Sequence, residues 1–334
     1  MGLIVPPSKF SSPMKHIVVS LLLAPLLAIA QEPYRYESSV DAMGTTYTVA
    51  AYHPQKDQLQ AAVEASLEEA QRLDRMLSNY RADSEWSQVN RFAAQREVQV
   101  SQELFNLLAA CVDYSSKSQG SFDISVGPLM RVWGFYKGTG RLPHKAEVRT
   151  VMNRVGYKNI VLDRNRRTVR FLKEGVELDP GGIGKGYAVD KMVEILKQEG
   201  INSALITAGG SSIYAIGAPP GKPGWDVVIR HPRDRNIAVA TLALKDQSMS
   251  TSGNYEKFFR VGRRIYSHIM DPRTGFPAQG MYSVSVVTPR CIDSEAWAKP
   301  YYILGRRWAA EHKPKDHRVF LCEDKGEAVC AWLQ

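Results

Sequence analysis

The stretch "LDPGGIGKGYAVD", residues 178–190, places an aspartate, a proline and three glycines directly before an amphipathic pattern running from Lys185 to Glu199. A plain strand-to-helix turn does not need so many glycines. Glycine reaches backbone conformations that other residues avoid and lets the main chain approach a ligand closely. A helix N-terminus offers unpaired N–H groups and a partial positive charge, a ready site for phosphate, and Lys185 adds a full charge in the first turn. The structural alternative is a tight turn with Asp179 as N-cap. The stretch matches neither GxGxxG nor GxxxxGK[ST], so a phosphate bound here belongs to a different nucleotide fold.

Outward from this motif, the chain mixes the two periodicities. "KDQLQAAVEASLEEAQRLDRML" repeats Leu59, Val63, Leu67, Ala70, Leu73 and Leu77 at helical spacing. "SQELFNLLAACVDYSSKS" predicts a second helix capped by Ser101. "SNYRADSEWSQVN" reads as a polar loop, and "QGSFDISVGPLMRVWGF" as turn, short strand and loop. Strands are expected at "NIVLD", "TVRFL", "SALITAGGSSIYAIG", "WDVVIRHP", "AVATLAL" and "SMSTSG". "RRIYSHIMDPRTGFP" and "YSVSVVTP" are expected to continue the sheet. The helix opening at "DSEAWAK" is expected to be capped or kinked by Pro300. About four helices among many antiparallel-type strands predict an α+β fold in one compact unit, residues 31–334.

Composition supports a folded, exported protein. Of 334 residues, 44% are hydrophobic and 23% charged, enough for a substantial core and against wholesale disorder. "MKHIVVSLLLAPLLAIAQEP" has a basic start, an apolar run from Ile17 to Leu27 and a small-x-small end at Ala28-Ile29-Ala30. Residues 1–30 therefore read as a secretory signal peptide, too short for a membrane span, and predict a periplasmic protein. No cysteine follows the apolar run, so a lipid anchor is not supported. Losing this segment removes Lys9 and Lys15 and lowers the formal net charge from +9 to +7. In an exported protein that balance suits an anionic cofactor, or simple solubility, better than nucleic acid. Cys111 lies on an apolar helix face, and no cysteine pair has zinc-site spacing. Cys322 and Cys330 flank "EDKGEAV" between two strands, so in an oxidising compartment they are placed to bridge a hairpin.

Seven polar patches, six of them glycine-bearing, need one explanation, and a large ligand touched from many segments supplies it. They include "MGTTYTV", "LSNYRADSE", "GSFDISVGPL", the opening motif, "AGGS", "STSGNY" and "YSHIMDPRTGFP", followed by "VSVVTP". In this order the set resembles the ApbE family, the FAD:protein FMN transferases, over roughly residues 38–310. The resemblance implies an ApbE-like (T-fold-like) unit that binds FAD and Mg²⁺. It also implies an enzyme that moves FMN onto a threonine of a partner and leaves AMP. The implied partner is a flavoprotein subunit of a membrane redox complex, so the chain approaches a membrane only through its partner, with no nucleic acid. By position, the family's flavin contacts fall on Met43, Tyr80, Ser121, Phe122, Asp123, Asp179, Lys185 and His268. Met43 and Phe122 also suit a plain core, Tyr80 a surface aromatic, and Asp179 a cap.

His268 is the natural acceptor for the threonine proton, with Asp271 close in sequence to orient it or share the role. The implied metal ligands are Glu295 and the Gly182 carbonyl. One departure stands out. The family's metal segment reads Ala-Asp-Ala-x-x-Thr, whereas this chain has Ser294-Glu295-Ala296-Trp297-Ala298-Lys299. Three outcomes are open: Mg²⁺ held with Lys299 turned away, Lys299 in place of the metal, or FAD bound without transfer. A non-catalytic FAD carrier and an FAD pyrophosphatase are the competing functions.

Overall fold

The computed structural model describes residues 2, 32–262 and 264–334. The expected signal segment lies outside the described residues except for Gly2. The framework is one eight-stranded sheet. Its strands are β1 (Tyr34–Ala42), β2 (Thr45–His53), β3 (Ala204–Ala208), β4 (Ser212–Ile216), β5 (Gln247–Gly253), β6 (Met281–Thr288), β7 (Arg318–Asp324) and β8 (Ala328–Trp332). Their order across the sheet is their order in the chain, and every neighbouring pair is antiparallel. Everything else is inserted between consecutive strands.

Alternation explains why both faces are covered. In β2, Tyr47, Val49 and Ala51 face a helical layer, while Ala50 and Tyr52 face the opposite side. The helical layer is built around α1 (Lys56–Leu77), whose six periodic residues are all buried. Six further α-helices are described: α2 (Glu85–Phe92), α3 (Gln102–Lys117), α4 (Gly127–Val132), α5 (Lys145–Met152), α6 (Gly184–Gln198) and α7 (Cys291–His312). The opposite face is closed by the hairpin Trp225–Arg230 with Ala238–Leu244. It lays Trp225, Val227, Ile229, Leu242 and Leu244 against Ala215, Met249 and Phe320. A small sheet of Val98–Gln99, Ile160–Asp163 and Thr168–Phe171 sits within the long insertion between β2 and β3. The α+β architecture expected from the sequence is the one observed.

Several local expectations need correction. Residues 85–92 form a helix, not a loop, because Ser84 accepts from the Ser87 N–H (3.0 Å) and Trp86 and Val89 are buried. Residues 124–132 form a 3₁₀ turn and α4, not a strand. The segment 258–277 leaves the main sheet and makes two separate hairpins, Phe258–Val261 with Arg264–Ser267 and Met270–Asp271 with Phe276–Pro277. Finally, α7 passes through Pro300 and breaks instead at Gly305, whose φ of 78° takes it out of the helix. Cys322 and Cys330 lie directly opposite each other on β7 and β8 and are disulfide-bonded. Cys111 and Cys291 are buried free thiols.

Candidate active site

The opening motif bends through a 3₁₀ turn, Pro180–Gly182, and enters α6 at Gly184. Asp179 is its N-cap: one carboxylate oxygen accepts from the Gly181 N–H (2.7 Å) and the other from the Tyr136 hydroxyl (2.7 Å). Burial pushes Asp179 above the usual carboxylate range, and the Tyr136 and Gly181 donors partly oppose that shift. None of the motif's four glycines has a positive φ. Close approach is what demands glycine here. A Cβ on Gly186 would lie 2.6 Å from the Cys291 carbonyl oxygen and 2.9 Å from a Glu295 carboxylate oxygen.

That approach lets α6 and α7 cap each other. Asp190 of α6 accepts from the Cys291 N–H (2.7 Å) and the Ile292 N–H (3.0 Å) at the start of α7. Glu295 of α7 accepts from the Gly186 N–H at the start of α6. Each helix N-terminus thus receives a carboxylate from its neighbour. Burial pushes Asp190 up to about 6, against the pull of those two N–H groups.

The motif forms one wall of a cavity of about 430 Å³. The β1–β2 turn supplies Met43, held at a φ of 50° with its N–H on Asp74 (2.8 Å). Tyr80 stands at the cavity, 81% exposed. Ser121, Phe122 and Asp123 line a further side. Their chemistry is mostly internal: the Ser121 hydroxyl donates to the Ser118 carbonyl (2.7 Å). Asp123 accepts from the Ser125 N–H and hydroxyl (2.8 and 2.7 Å) and from the Tyr157 N–H (2.5 Å). Asp123 therefore reads as a loop organiser, raised in pKa by burial despite those donors. Gly182, Lys185, His268 and Glu295 complete the expected set on the same cavity.

Asp271 does not join them. Both of its oxygens receive Arg273 (2.9 and 2.8 Å), and it lies outside the cavity lining. The expectation that Asp271 orients His268 is therefore corrected. The His268 Nδ1 instead lies 3.1 Å from the Lys257 carbonyl oxygen. A carbonyl only accepts, so Nδ1 carries the proton and Nε2 keeps a free lone pair. Burial lowers His268 to about 4, helped by the positive charges of Lys185, Lys257 and Lys299 and opposed by the bond to the Lys257 carbonyl. The ring is neutral at pH 7.

Sequence reasoning missed Lys257 and Tyr136. Lys257 works through its main-chain carbonyl, which no side-chain pattern reveals. Tyr136, in "VWGFYKGTG", was the more findable, an aromatic among glycines.

The cationic corner decides the metal question. Lys299, one turn after Glu295 on α7, donates to the Glu295 main-chain carbonyl (2.9 Å) and lies 3.9 Å from its Oε1. Lys185 lies 4.0 Å from the same oxygen and donates to the Ser211 hydroxyl (2.9 Å). The other carboxylate oxygen is occupied by α6. The Lys299 Cε also comes within 3.7 Å of where a Cβ on Gly182 would stand, so the lysine is not turned away. Asp293, a carboxylate two residues before Glu295, accepts from the Tyr114 hydroxyl and is outside the lining. Among the described residues no group of three His, Cys, Asp or Glu side chains is placed to hold a metal. These residues do not fit a resident Mg²⁺, which wants several oxygens in tight octahedral geometry.

The ApbE family model matches residues 43–320, most of the chain and every segment that lines the cavity. The chain belongs to the ApbE family. Its relatives include proteins named FAD:protein FMN transferase from Treponema pallidum (32% identical over 264 residues, 73% of each chain) and Salmonella typhimurium. The latter is 30% identical over 271 residues, covering 78% of this chain and 76% of the relative. Among solved structures, the ApbE protein of Thermotoga maritima superimposes with a TM-score of 0.82 at 28% identity, covering 89% of this chain and 96% of that one. The apo flavinyl transferase ApbE of Pseudomonas stutzeri gives 0.79 at 27% identity, covering 91% and 96%. The fold of these structures is thus the one that builds this cavity.

Proposed function

We propose that this chain is an FAD:protein FMN transferase, moving FMN from FAD to a threonine of a partner protein with release of AMP. One observation carries the reading: a single cavity joins the glycine motif, two lysine ammonium groups and a neutral histidine with a free Nε2. In the proposed step the threonine oxygen attacks the phosphorus on the FMN side of the diphosphate. The new O–P bond forms as the bond to the bridging oxygen breaks, and that oxygen leaves with AMP. The hydroxyl proton passes to the His268 Nε2. The lysines neutralise charge developing on the diphosphate.

The same lysines make free His268 a weak base. A bound diphosphate offsets their charge and strengthens the base when the substrate is present. Tyr80 offers an aromatic surface to the isoalloxazine ring and Met43 an apolar one, whereas Phe122, 3% exposed, packs mainly in the core beneath the cavity wall. The Mg²⁺ expected at Glu295 and the Gly182 carbonyl has no part in this step. The Cys322–Cys330 disulfide supports an oxidising compartment, consistent with a periplasmic enzyme acting on an exported redox protein.

The test is to incubate the protein with FAD and a threonine-bearing acceptor and to measure both AMP and flavin covalently bound to the acceptor. Both are expected to appear together and to vanish in His268→Ala while FAD still binds. AMP and FMN released without acceptor labelling would mark a pyrophosphatase instead. FAD binding with no AMP at all would mark a carrier.

A further inference from the structure

The corner formed by α6, α7 and the glycine turn holds one buried carboxylate between two ammonium groups. Glu295 is almost wholly enclosed, with a side-chain exposure of 3%, whereas Lys185 and Lys299 are 30% and 20% exposed and line the cavity. The carboxylate neutralises one of the two positive charges. The other remains, together with the partial positive charge at the start of α6. Such a corner attracts an anion and repels a cation. A divalent ion seated on Glu295 would share its one available oxygen with two ammonium groups about 4 Å away.

The arrangement is also rigid in the way a binding site requires. Lys299 is tethered to the main chain of its own helix and Lys185 to Ser211 in the turn between β3 and β4. Each tether uses one of three ammonium protons, leaving donors free on both side chains. The two ammonium groups come from different helices, and those helices are locked together by their exchanged carboxylates. Glu295 therefore acts as a brace that holds the pair in place.

We propose that Lys299 and Lys185, braced on Glu295, form a metal-free clamp for a diphosphate ester, so that this enzyme turns over FAD without a divalent cation. The inference rests on the flavin-transfer reading for the identity of the substrate. The clamp itself is addressed by any nucleoside diphosphate. In the transfer step the ammonium groups donate hydrogen bonds to the phosphate oxygens, including the bridging oxygen as it leaves with its electron pair. The protons stay on the lysines, and the threonine proton still goes to His268.

The test uses calorimetry with ADP, FAD, riboflavin and Mg²⁺ alone, each in the presence and absence of EDTA, on wild type, Lys299→Met, Lys299→Arg and Lys299→Thr. EDTA is left out of the Mg²⁺ arm. For wild type, ADP and FAD affinities are expected to stay within about twofold on adding EDTA, and Mg²⁺ alone to give no saturable heat. Lys299→Met is expected to weaken both diphosphates at least tenfold and to leave riboflavin unchanged, since one charge-assisted contact to phosphate is lost. Lys299→Arg keeps the charge and is expected to retain ADP binding in EDTA, which separates loss of the cation from misfolding. Lys299→Thr is expected to recover FAD binding only when Mg²⁺ is added.

Collapse of wild-type ADP and FAD binding in EDTA would overturn the clamp. So would unchanged diphosphate affinity in folded Lys299→Met. If ADP behaves as stated but no FMN reaches an acceptor, the clamp stands and the transfer reading fails.

Discussion

The free enzyme should lose stability on acidification through one identifiable residue, His268. The folded protein holds its imidazole at about 4, whereas an unfolded chain protonates it near ~6.5. As pH falls, the unfolded state takes up the proton first, so this group destabilises the fold progressively below ~6.5 and its effect levels off near ~4. Above ~6.5 it contributes nothing. A difference of about 2.5 pKa units corresponds to at most about 3.4 kcal/mol, of which about 2.5 is reached by pH ~4.5. The ring is not fully enclosed, so about 2 kcal/mol is the working figure after solvent screening. The perturbation is His268→Gln, which keeps a donor for the Lys257 carbonyl and cannot titrate. Urea unfolding at pH ~8 and ~4.5 then gives a double difference in which Asp190 and the other titrating groups cancel. Wild type is expected to lose about 2 kcal/mol more than the variant. Equal losses in the two proteins would refute the buried, lysine-flanked histidine and, with it, the account of a base strengthened by substrate.

Gly186→Ala pushes a methyl group to within 2.6 Å of the Cys291 carbonyl and should cost about 1–3 kcal/mol, read as a lowered thermal midpoint. The Cys322–Cys330 bond closes a short loop, so its reduction should lower stability by about 2.5 kcal/mol in urea. Lys185→Ala should weaken FAD at least several-fold while leaving riboflavin untouched in calorimetry, because the ammonium addresses phosphate.

What could be read from the chain depended on how each residue acts. The helix α1 shows its buried stripe directly, because six apolar residues repeat along one face. Helix α2 shows no such stripe: only Trp86 and Val89 are buried, and its start is marked by Ser84, a cap that also suits a turn. The cavity-lining patches were visible as polar residues, mostly with glycine, and ten of the eleven expected site residues do line one cavity. Asp271 fails because proximity in sequence to His268 says nothing about partners, and Arg273 two residues on claims both its oxygens. The orienting group of His268 is a carbonyl, which every residue carries, so no pattern could single out Lys257. Likewise the exchange of carboxylates between α6 and α7 joins Glu295 to Gly186, 109 residues apart. Lys299 was conspicuous against the expected motif, but its direction, toward Gly182 and not toward solvent, was a matter of packing.

The in-order sheet also has a consequence for how the molecule breathes. Successive strands are spatial neighbours; residues 54–203 between β2 and β3 make by far the longest excursion, residues 217–246, 254–280 and 289–317 make intermediate ones, and the remaining links are tight turns. That excursion carries Tyr80, Phe122 and Asp179, while His268 and Lys299 arrive from the strands and helix that follow. Partial opening should therefore separate the two halves of the cavity before the sheet itself gives way. A nucleotide spanning both halves would act as a staple between an early and a late piece of the chain. Amide exchange should slow in both pieces together when the cavity fills, even at backbone positions far from any bound atom.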